Sequence, residues 1–149
     1  VDAPLKWFGE VTGIASWLGQ PTSLATLLGY LLAPIAWVIG TPWEDATVVG
    51  SLIGQKVVIN EFIAYTQLAS ILNGQVPNVA LSPQGALIAP YALCGFANFS
   101  SIAIQIGGIG GLAPERRQDL ARFGMRAVLG GSIATFMTAT IAGVLTNLS

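Results

Sequence analysis

Three stretches without a single charged residue limit what this 149-residue chain can fold into. They cover residues 11–43, 62–114 and 127–149. Each is longer than the ~18 to 20 apolar residues that one helix needs to cross the hydrocarbon core of a bilayer. Only 9% of the residues are charged and 53% are hydrophobic, whereas about a quarter of the residues are charged in soluble domains. The sequence therefore predicts an all-α integral membrane protein.

Residue types that are absent or scarce exclude several classes of function. The chain has no histidine, which removes Ser-His-Asp and Cys-His catalysis and the commonest zinc ligand. Its net charge of -1, without a basic surface run, argues against a nucleic-acid partner. Cys94 is the single cysteine, so we expect a small apolar residue inside a helix rather than a disulfide. We predict no catalytic residue, no metal site and no enzymatic activity.

Residues 1–40 are predicted to contain a linker and one apolar helix. A new element is expected to begin at Pro21 or Thr22, where a proline at the first helical position or a threonine cap would suit a helix start. Pro34 interrupts the apolar run that follows and predicts a kink. The sequence leaves open whether residues 22–40 span the bilayer or lie at its interface.

Residues 41–72 are predicted to form a re-entrant helical hairpin. The first helix is expected to begin near Pro42, because Glu44 and Asp45 suit the positive end of a helix dipole. We expect two half-length helices to meet at a polar turn, which protein or water must cover at membrane depth. Four residues in the middle of the segment predict this turn: Gly50, Gly54, Gln55 and Lys56.

Residues 82–112 are predicted to be a broken transmembrane helix. The centre of this span carries Gly95, Asn98, Ser100 and Ser101. Polar groups at that depth are costly unless they are paired with each other or line a cavity. We therefore expect the helix to be interrupted there.

Residues 114–149 are predicted to be a cytoplasmic basic turn followed by the last transmembrane helix. The turn contains Arg116, Arg117, Arg122 and Arg126, and an excess of arginine marks the cytoplasmic side of a span. The C-terminal end of the helix should then face outside. A face of small residues suits close packing on another helix: Gly130, Gly131, Ser132, Ala134, Thr138 and Ala142.

Glu61 most needs an explanation, because a carboxylate at membrane depth costs about 2.5 kcal/mol or more and so indicates a functional site. One interpretation is an internal ion pair with Lys56 in a structural helical bundle or a channel subunit. That pair requires a break between the two residues, which do not face each other at a spacing of five on one helix. The other interpretation is a ligand site: with Asn98 and Ser101, Glu61 could bind a ligand rich in hydroxyls, such as a sugar diol.

Two long motifs resemble those of the concentrative nucleoside transporter family. The stretch "GQKVVINEFIAY" matches its Gly-x-Lys-x-x-x-Asn-Glu-Phe signature, and "ALCGFANFSSIAIQIGGIGGLAPERR" resembles its discontinuous substrate-site helix. The similarity covers nearly the whole chain and is closest to the C-terminal part of bacterial members. It implies secondary active transport of nucleosides across the bacterial inner membrane, coupled to a sodium or proton gradient in a homotrimer.

The same resemblance implies roles for four residues. Glu61, Asn98 and Ser101 would hydrogen-bond the ribose, and Phe96 would pack against the nucleoside. It also implies that the ligands of the coupling cation, Na⁺ or H⁺, and most contacts to the base lie outside this chain. By the same resemblance, the residues that would distinguish a purine from a pyrimidine lie outside this chain.

Overall fold

A computed structural model of the chain describes residues 2–13 and 23–147. Throughout these two ranges the regular elements are helical, which confirms the all-α prediction. In chain order they are α1 (Asp2–Thr12), α2 (Leu24–Val38), α3 (Trp43–Val58), α4 (Glu61–Leu72), α5 (Pro83–Leu93), α6 (Phe99–Leu112), a 3₁₀ turn (Pro114–Arg116) and α7 (Arg117–Asn147).

Side-chain caps fix where four of these helices begin. A side-chain oxygen of the residue before the helix accepts a hydrogen bond from a backbone N–H of the first turn, which would otherwise lack a partner. The capping residues are Ser23 for α2, Asn60 for α4, Ser82 for α5 and Asn98 for α6. The predicted start at Pro21 or Thr22 lies outside the described residues.

The helices α2 and α3 are joined by residues 39–42, where the chain bends by 117°. They pack closely, because a Cβ atom added to Gly50 would lie 2.7 Å from the carbonyl oxygen of Gly29. A Cβ atom on Gly54 would lie 2.5 Å from that of Leu28. The helix α2 also continues through Pro34 as one element.

The predicted position of the hairpin turn is wrong. The helix α3 runs without interruption through all four residues assigned to the turn and ends at Val58. The break lies instead at residues 59–60, where Asn60 is extended with φ -168° and ψ 170° and caps α4. The helix α2 lies so close to Gly50 and Gly54 that no side chain would fit at either position.

The helix α5 is attached to the beginning of α3. The buried carboxylate of Asp45 accepts hydrogen bonds from the backbone N–H of Ser82, at 3.1 Å, and from its hydroxyl. At the other end of α5, the Tyr65 hydroxyl donates to the Pro90 carbonyl oxygen at 2.7 Å. The end of α5 therefore lies beside the beginning of α4.

The last helix, α7, packs along both halves of the broken helix. Cβ atoms added to Gly131 and Gly143 would lie 3.1 Å from Ala97 and 3.0 Å from Ile88, respectively. Together with the preceding turn, residues Pro114–Thr146 form a continuous helical segment of 33 residues that contains an apolar stretch long enough to cross a membrane. Within the predicted small-residue face, Ser132 is buried in this chain, and Gly130, Ala134 and Thr138 are exposed.

Candidate functional site

Two interruptions of helical structure meet at one place in the molecule. The first lies between α3 and α4 at residues 59–60, and the second lies between α5 and α6 at residues 94–98. Gly95 opens the second break with φ +94°, a left-handed conformation that favours glycine because it has no Cβ atom. The sequence correctly predicts an interruption near Gly95 and Asn98.

A side-chain hydrogen bond joins the two breaks. The Asn98 amide donates from Nδ2 to Oε2 of Glu61 at 2.7 Å. Glu61 is the first residue of α4, and Asn98 immediately precedes α6. The positive end of the α4 dipole favours the negative charge of Glu61 at that position. Two residues that are 37 positions apart therefore form one polar cluster in an apolar chain.

Asn98 is held by both ends of its amide. Its Oδ1 accepts a hydrogen bond from the backbone N–H of Ser101 at 2.7 Å, which is why α6 begins where it does. The side chain is almost completely buried, at 1% exposure. Because one amide both caps α6 and bonds Glu61, the start of α6 is positioned relative to the start of α4.

Three of the four predicted site residues border a common cavity of about 230 Å³ between α6 and α7. Phe96, Asn98 and Ser101 contribute to its wall, with Gln105 further along α6. Phe96 is 77% exposed, so its ring is available for contact with another molecule or chain segment. Glu61 does not line this cavity and joins the cluster through Asn98. A larger cavity of about 320 Å³, between α2, α3 and α4, contains none of the predicted site residues.

Lys56 does not form the ion pair that one interpretation of the sequence required. Its side chain is fully buried in the last turn of α3, and its Nζ atom has no hydrogen-bond partner. In the described part of the chain, the ion pair found is between Arg116 and Asp119, on the surface. The Glu61 carboxylate is bonded to Asn98 instead.

Sequence reasoning missed two neighbours of the cluster and one buried contact at the opposite end of α3. Cys94, expected inside a helix, instead ends α5 at the break and is exposed. Tyr65 lies one turn after Glu61 and bonds the end of α5. Asp45 had been explained by the helix dipole alone, but it is buried and bonds Ser82. A tyrosine four residues after Glu61 was a visible signal, whereas the other two roles depend on tertiary contacts.

Comparison with known proteins identifies the family. The protein-family model described as "Na+ dependent nucleoside transporter C-terminus" matches residues 1–143. The uncharacterized transporter YutK of Bacillus subtilis is 51% identical over 121 residues, which are 81% of this chain and 28% of the relative. The nucleoside permease NupC of Helicobacter pylori is 44% identical over 126 residues, covering 85% of this chain and 30% of the relative.

Solved structures give the same result for the fold. The structure of CNTnw in an inward-facing substrate-bound state matches with a TM-score of 0.81 and 47% identity, over 99% of this chain and 36% of that chain. A CNTnw variant in an outward-facing state matches with a TM-score of 0.80 and 46% identity, over 99% of this chain and 35% of that one. These likenesses confirm an all-α membrane transporter fold.

The chain spans only part of the proteins that it matches. It covers 28% of YutK, 34% of an uncharacterized transporter from Haemophilus influenzae and 36% of CNTnw. The matched portion is the C-terminal region named by the family model, and in this chain it contains Glu61, Asn98 and the residues of both helix breaks. The chain therefore belongs to the concentrative nucleoside transporter family and corresponds to the C-terminal region of its members.

Proposed function

We propose that the full-length protein moves nucleosides across the cell membrane by secondary active transport, and that this chain supplies the ribose-binding half of the site. The observation that carries this proposal is the 2.7 Å hydrogen bond between Asn98 and Glu61, which brings a carboxylate and an amide together where two broken helices meet. The family model and the nucleoside permease NupC support the choice of substrate class.

The chemistry of the cluster suits the hydroxyls of a ribose. An ionised carboxylate accepts several hydrogen bonds and donates none, and Asn98 uses only one of the acceptor positions on Glu61. The remaining positions match the two vicinal hydroxyl donors of a ribose. Ser101 adds a hydroxyl, and Phe96 offers an exposed ring for contact with the nucleoside. A free base lacks the groups that Glu61 would bind.

The arrangement of the helices suits alternating access. Secondary transporters hold their substrate near the bilayer midplane between discontinuous helices, which can move as units around the site. In this proposal the α3–α4 pair is the re-entrant hairpin and α5–α6 is the broken transmembrane helix. Transport is driven by a sodium or proton gradient, with the cation ligands in the remainder of the protein, and the assembly is a homotrimer in the bacterial inner membrane.

A structural bundle or channel subunit is the competing function. It requires Glu61 to be neutralised by a direct pair with Lys56, whereas Lys56 Nζ has no hydrogen-bond partner and Glu61 bonds Asn98. A channel also needs a ring of charges or a continuous polar path. Between residues 59 and 98, Glu61 is the only acidic residue, so this part of the chain does not supply a series of charges.

Uptake by the full-length protein tests the proposed function. Cells or proteoliposomes that contain it should accumulate a radiolabelled nucleoside against its gradient when a sodium or proton gradient is imposed. Free ribose and the corresponding free base should accumulate far less. Uptake that is independent of both gradients would favour a channel, and the absence of nucleoside uptake under every gradient would contradict the proposal.

A further inference from the structure

One face of α7 connects two arginines to an apolar groove. Arg122 and Arg126 are exposed and one turn apart. Further along, the same face forms one wall of a groove of about 380 Å³ between α7 and α2. Residues three and four apart are neighbours on a helix surface. That spacing defines what we call the α7 stripe: Arg122, Arg126, Leu129, Ile133, Phe136, Met137 and Thr140.

The two arginines of the stripe form no ion pair within the described part of the chain. The nearby carboxylate of Asp119 pairs with Arg116 at 3.2 Å. The guanidinium carbon of Arg126 lies 6.0 Å from the ring centroid of Phe123. A cation–π contact of this kind leaves the N–H donors of the guanidinium free for an anion.

The groove at the other end of the stripe is apolar on both walls. Its apolar lining residues are Pro34, Ile35, Val38 and Ile39 from α2, and Ile133, Phe136 and Met137 from α7. The hydroxyl of Thr140 also borders it and donates to the Phe136 carbonyl oxygen at 2.9 Å. Because that hydroxyl is bonded within its own helix, the groove suits a hydrocarbon chain rather than a polar ligand.

The length of the stripe matches one leaflet of a bilayer. From Arg126 to Met137 the helix rises roughly 16 Å at 1.5 Å per residue, and half of the hydrocarbon core is about 15 Å thick. Residues 127–149 contain no charge, so Arg126 is the last charged residue before the apolar part of α7. Its guanidinium belongs in the headgroup layer. A chain that begins beside Arg126 therefore reaches the groove within one leaflet.

We propose that the α7 stripe binds an anionic phospholipid, with the phosphate at Arg122 and Arg126 and one acyl chain lying along Leu129 into the groove. Charge complementarity selects this class of lipid, because guanidinium groups bind phosphate through charge-assisted hydrogen bonds and basic residues beside a span attract anionic headgroups. In a zwitterionic lipid, the cation of the headgroup offsets the phosphate. None of the stripe residues lines the cavity at Asn98, so this inference does not rest on the proposed function.

Binding of phosphatidylglycerol to the delipidated full-length protein in detergent tests the headgroup contacts. Arg122→Gln and Arg126→Gln should each lower the affinity for a fluorescent phosphatidylglycerol about fivefold, and the double variant about thirtyfold. Arg126→Lys keeps the charge and should retain most of the affinity. Phosphatidylcholine with the same acyl chains should bind the wild type more weakly, and the glutamine variants should bind it as the wild type does.

Arg116→Gln is the matched control for the arginines. It removes the same charge from the same basic turn, but Arg116 is exposed, pairs with Asp119 and lies outside the stripe. At physiological ionic strength an exposed charge away from the phosphate is largely screened. The affinity for phosphatidylglycerol should therefore change by less than about twofold.

Met137→Ser tests the groove. The side chain is exposed in this chain, and its loss removes apolar surface that the acyl chain would cover. The affinity for long-chain phosphatidylglycerol should fall about fivefold. Binding of a short-chain phosphatidylglycerol, whose chains end before Ile133, should not change.

Several outcomes would overturn the inference. These are equal binding of the two lipids by the wild type, wild-type affinity for phosphatidylglycerol in the double variant, and an equal loss in Arg116→Gln. Unchanged long-chain binding in Met137→Ser would also contradict it. Displacement of phosphatidylglycerol by soluble glycerol phosphate would assign the arginines to a free phosphate instead.

A photo-crosslinker at Leu129 distinguishes a lipid from a protein neighbour. In membranes that contain phosphatidylglycerol, it should capture the lipid. Capture of an upstream segment of the same protein would show that protein covers the stripe, and the inference would be wrong. The crosslink and the comparison of the two lipids need no arginine substitution, so they decide the matter even if a glutamine variant does not assemble.

Discussion

At the scale of single residues, the site depends on a few polar groups in an apolar chain. The sequence predicts that Glu61, Asn98 and Ser101 belong to a functional site. Polar side chains at membrane depth carry a large free-energy cost unless they are paired or bind a ligand. It could not predict that Asn98 would bond Glu61 directly, since the two are 37 positions apart. Nor could it distinguish a bonded Lys56 from a merely enclosed one, because that depends on side-chain packing of the finished fold.

The first prediction concerns Glu61→Gln in the full-length protein. This change keeps the size of the side chain and an acceptor for Asn98 but removes the charge. Hydrogen bonds to charged groups contribute about 1.5–3 kcal/mol, so nucleoside affinity should fall roughly ten- to a hundredfold. Calorimetry in detergent measures the affinity, and the amount of correctly assembled protein should be unaffected.

Glu44→Gln is the matched control for that measurement. Glu44 is an exposed carboxylate in the first turn of α3, so its loss should leave nucleoside affinity as it is. Wild-type affinity in well-assembled Glu61→Gln would remove Glu61 from the site. A folding defect that Lys56→Met rescues would assign Glu61 to a structural charge pair instead.

At the scale of elements, sequence patterns predict which segments are helical better than where they break. A run such as "GQK" after Gly50 has the glycine and polar content of a turn, yet those residues are inside α3 because α2 packs against the glycines. The true break depends on Asn60, whose side chain caps α4. A helix contact and a turn both favour glycine, so glycine content alone does not show where the turn lies. The capping residue Asn60 does mark the break, because it begins a new helix.

The contact between α3 and α5 gives a prediction at this scale. Asp45 is 4% exposed and accepts two hydrogen bonds from Ser82, the residue that caps α5. Asp45→Ala leaves these partly buried donors without their acceptor, which should cost about 2–4 kcal/mol. Thermal unfolding of the full-length protein in detergent should therefore begin several degrees lower than in the wild type.

Glu44→Ala provides the comparison, since the neighbouring side chain is exposed and its main interaction is with the helix dipole. That substitution should change stability by less than about 1 kcal/mol. Equal losses for Glu44→Ala and Asp45→Ala would show that the helix dipole, rather than the bond to Ser82, accounts for the acid at position 45.

At the scale of the whole molecule, the orientation of the long helix α7 determines how the candidate site is oriented across the membrane. The α7 helix packs on Ala97 beside the second break and on Ile88 in α5, so its direction fixes which end of the broken helix faces each side. The described residues of α7 and the 3₁₀ turn before it carry Arg116, Arg117, Arg122 and Arg126 at one end only. No basic residue is found near the other described end.

The last prediction is that the arginine-rich end of α7 faces the cytoplasm, because positively charged residues flanking a span are retained on that side. Single cysteines at Gln118 and Thr146 can report the orientation in a full-length protein whose other cysteines are replaced. The replacement includes the exposed Cys94, which would otherwise react as well. In intact cells a membrane-impermeant maleimide should label position 146 and should label position 118 only after permeabilisation. The opposite labelling would invert α7, and with it the side from which the α3–α4 pair enters the membrane.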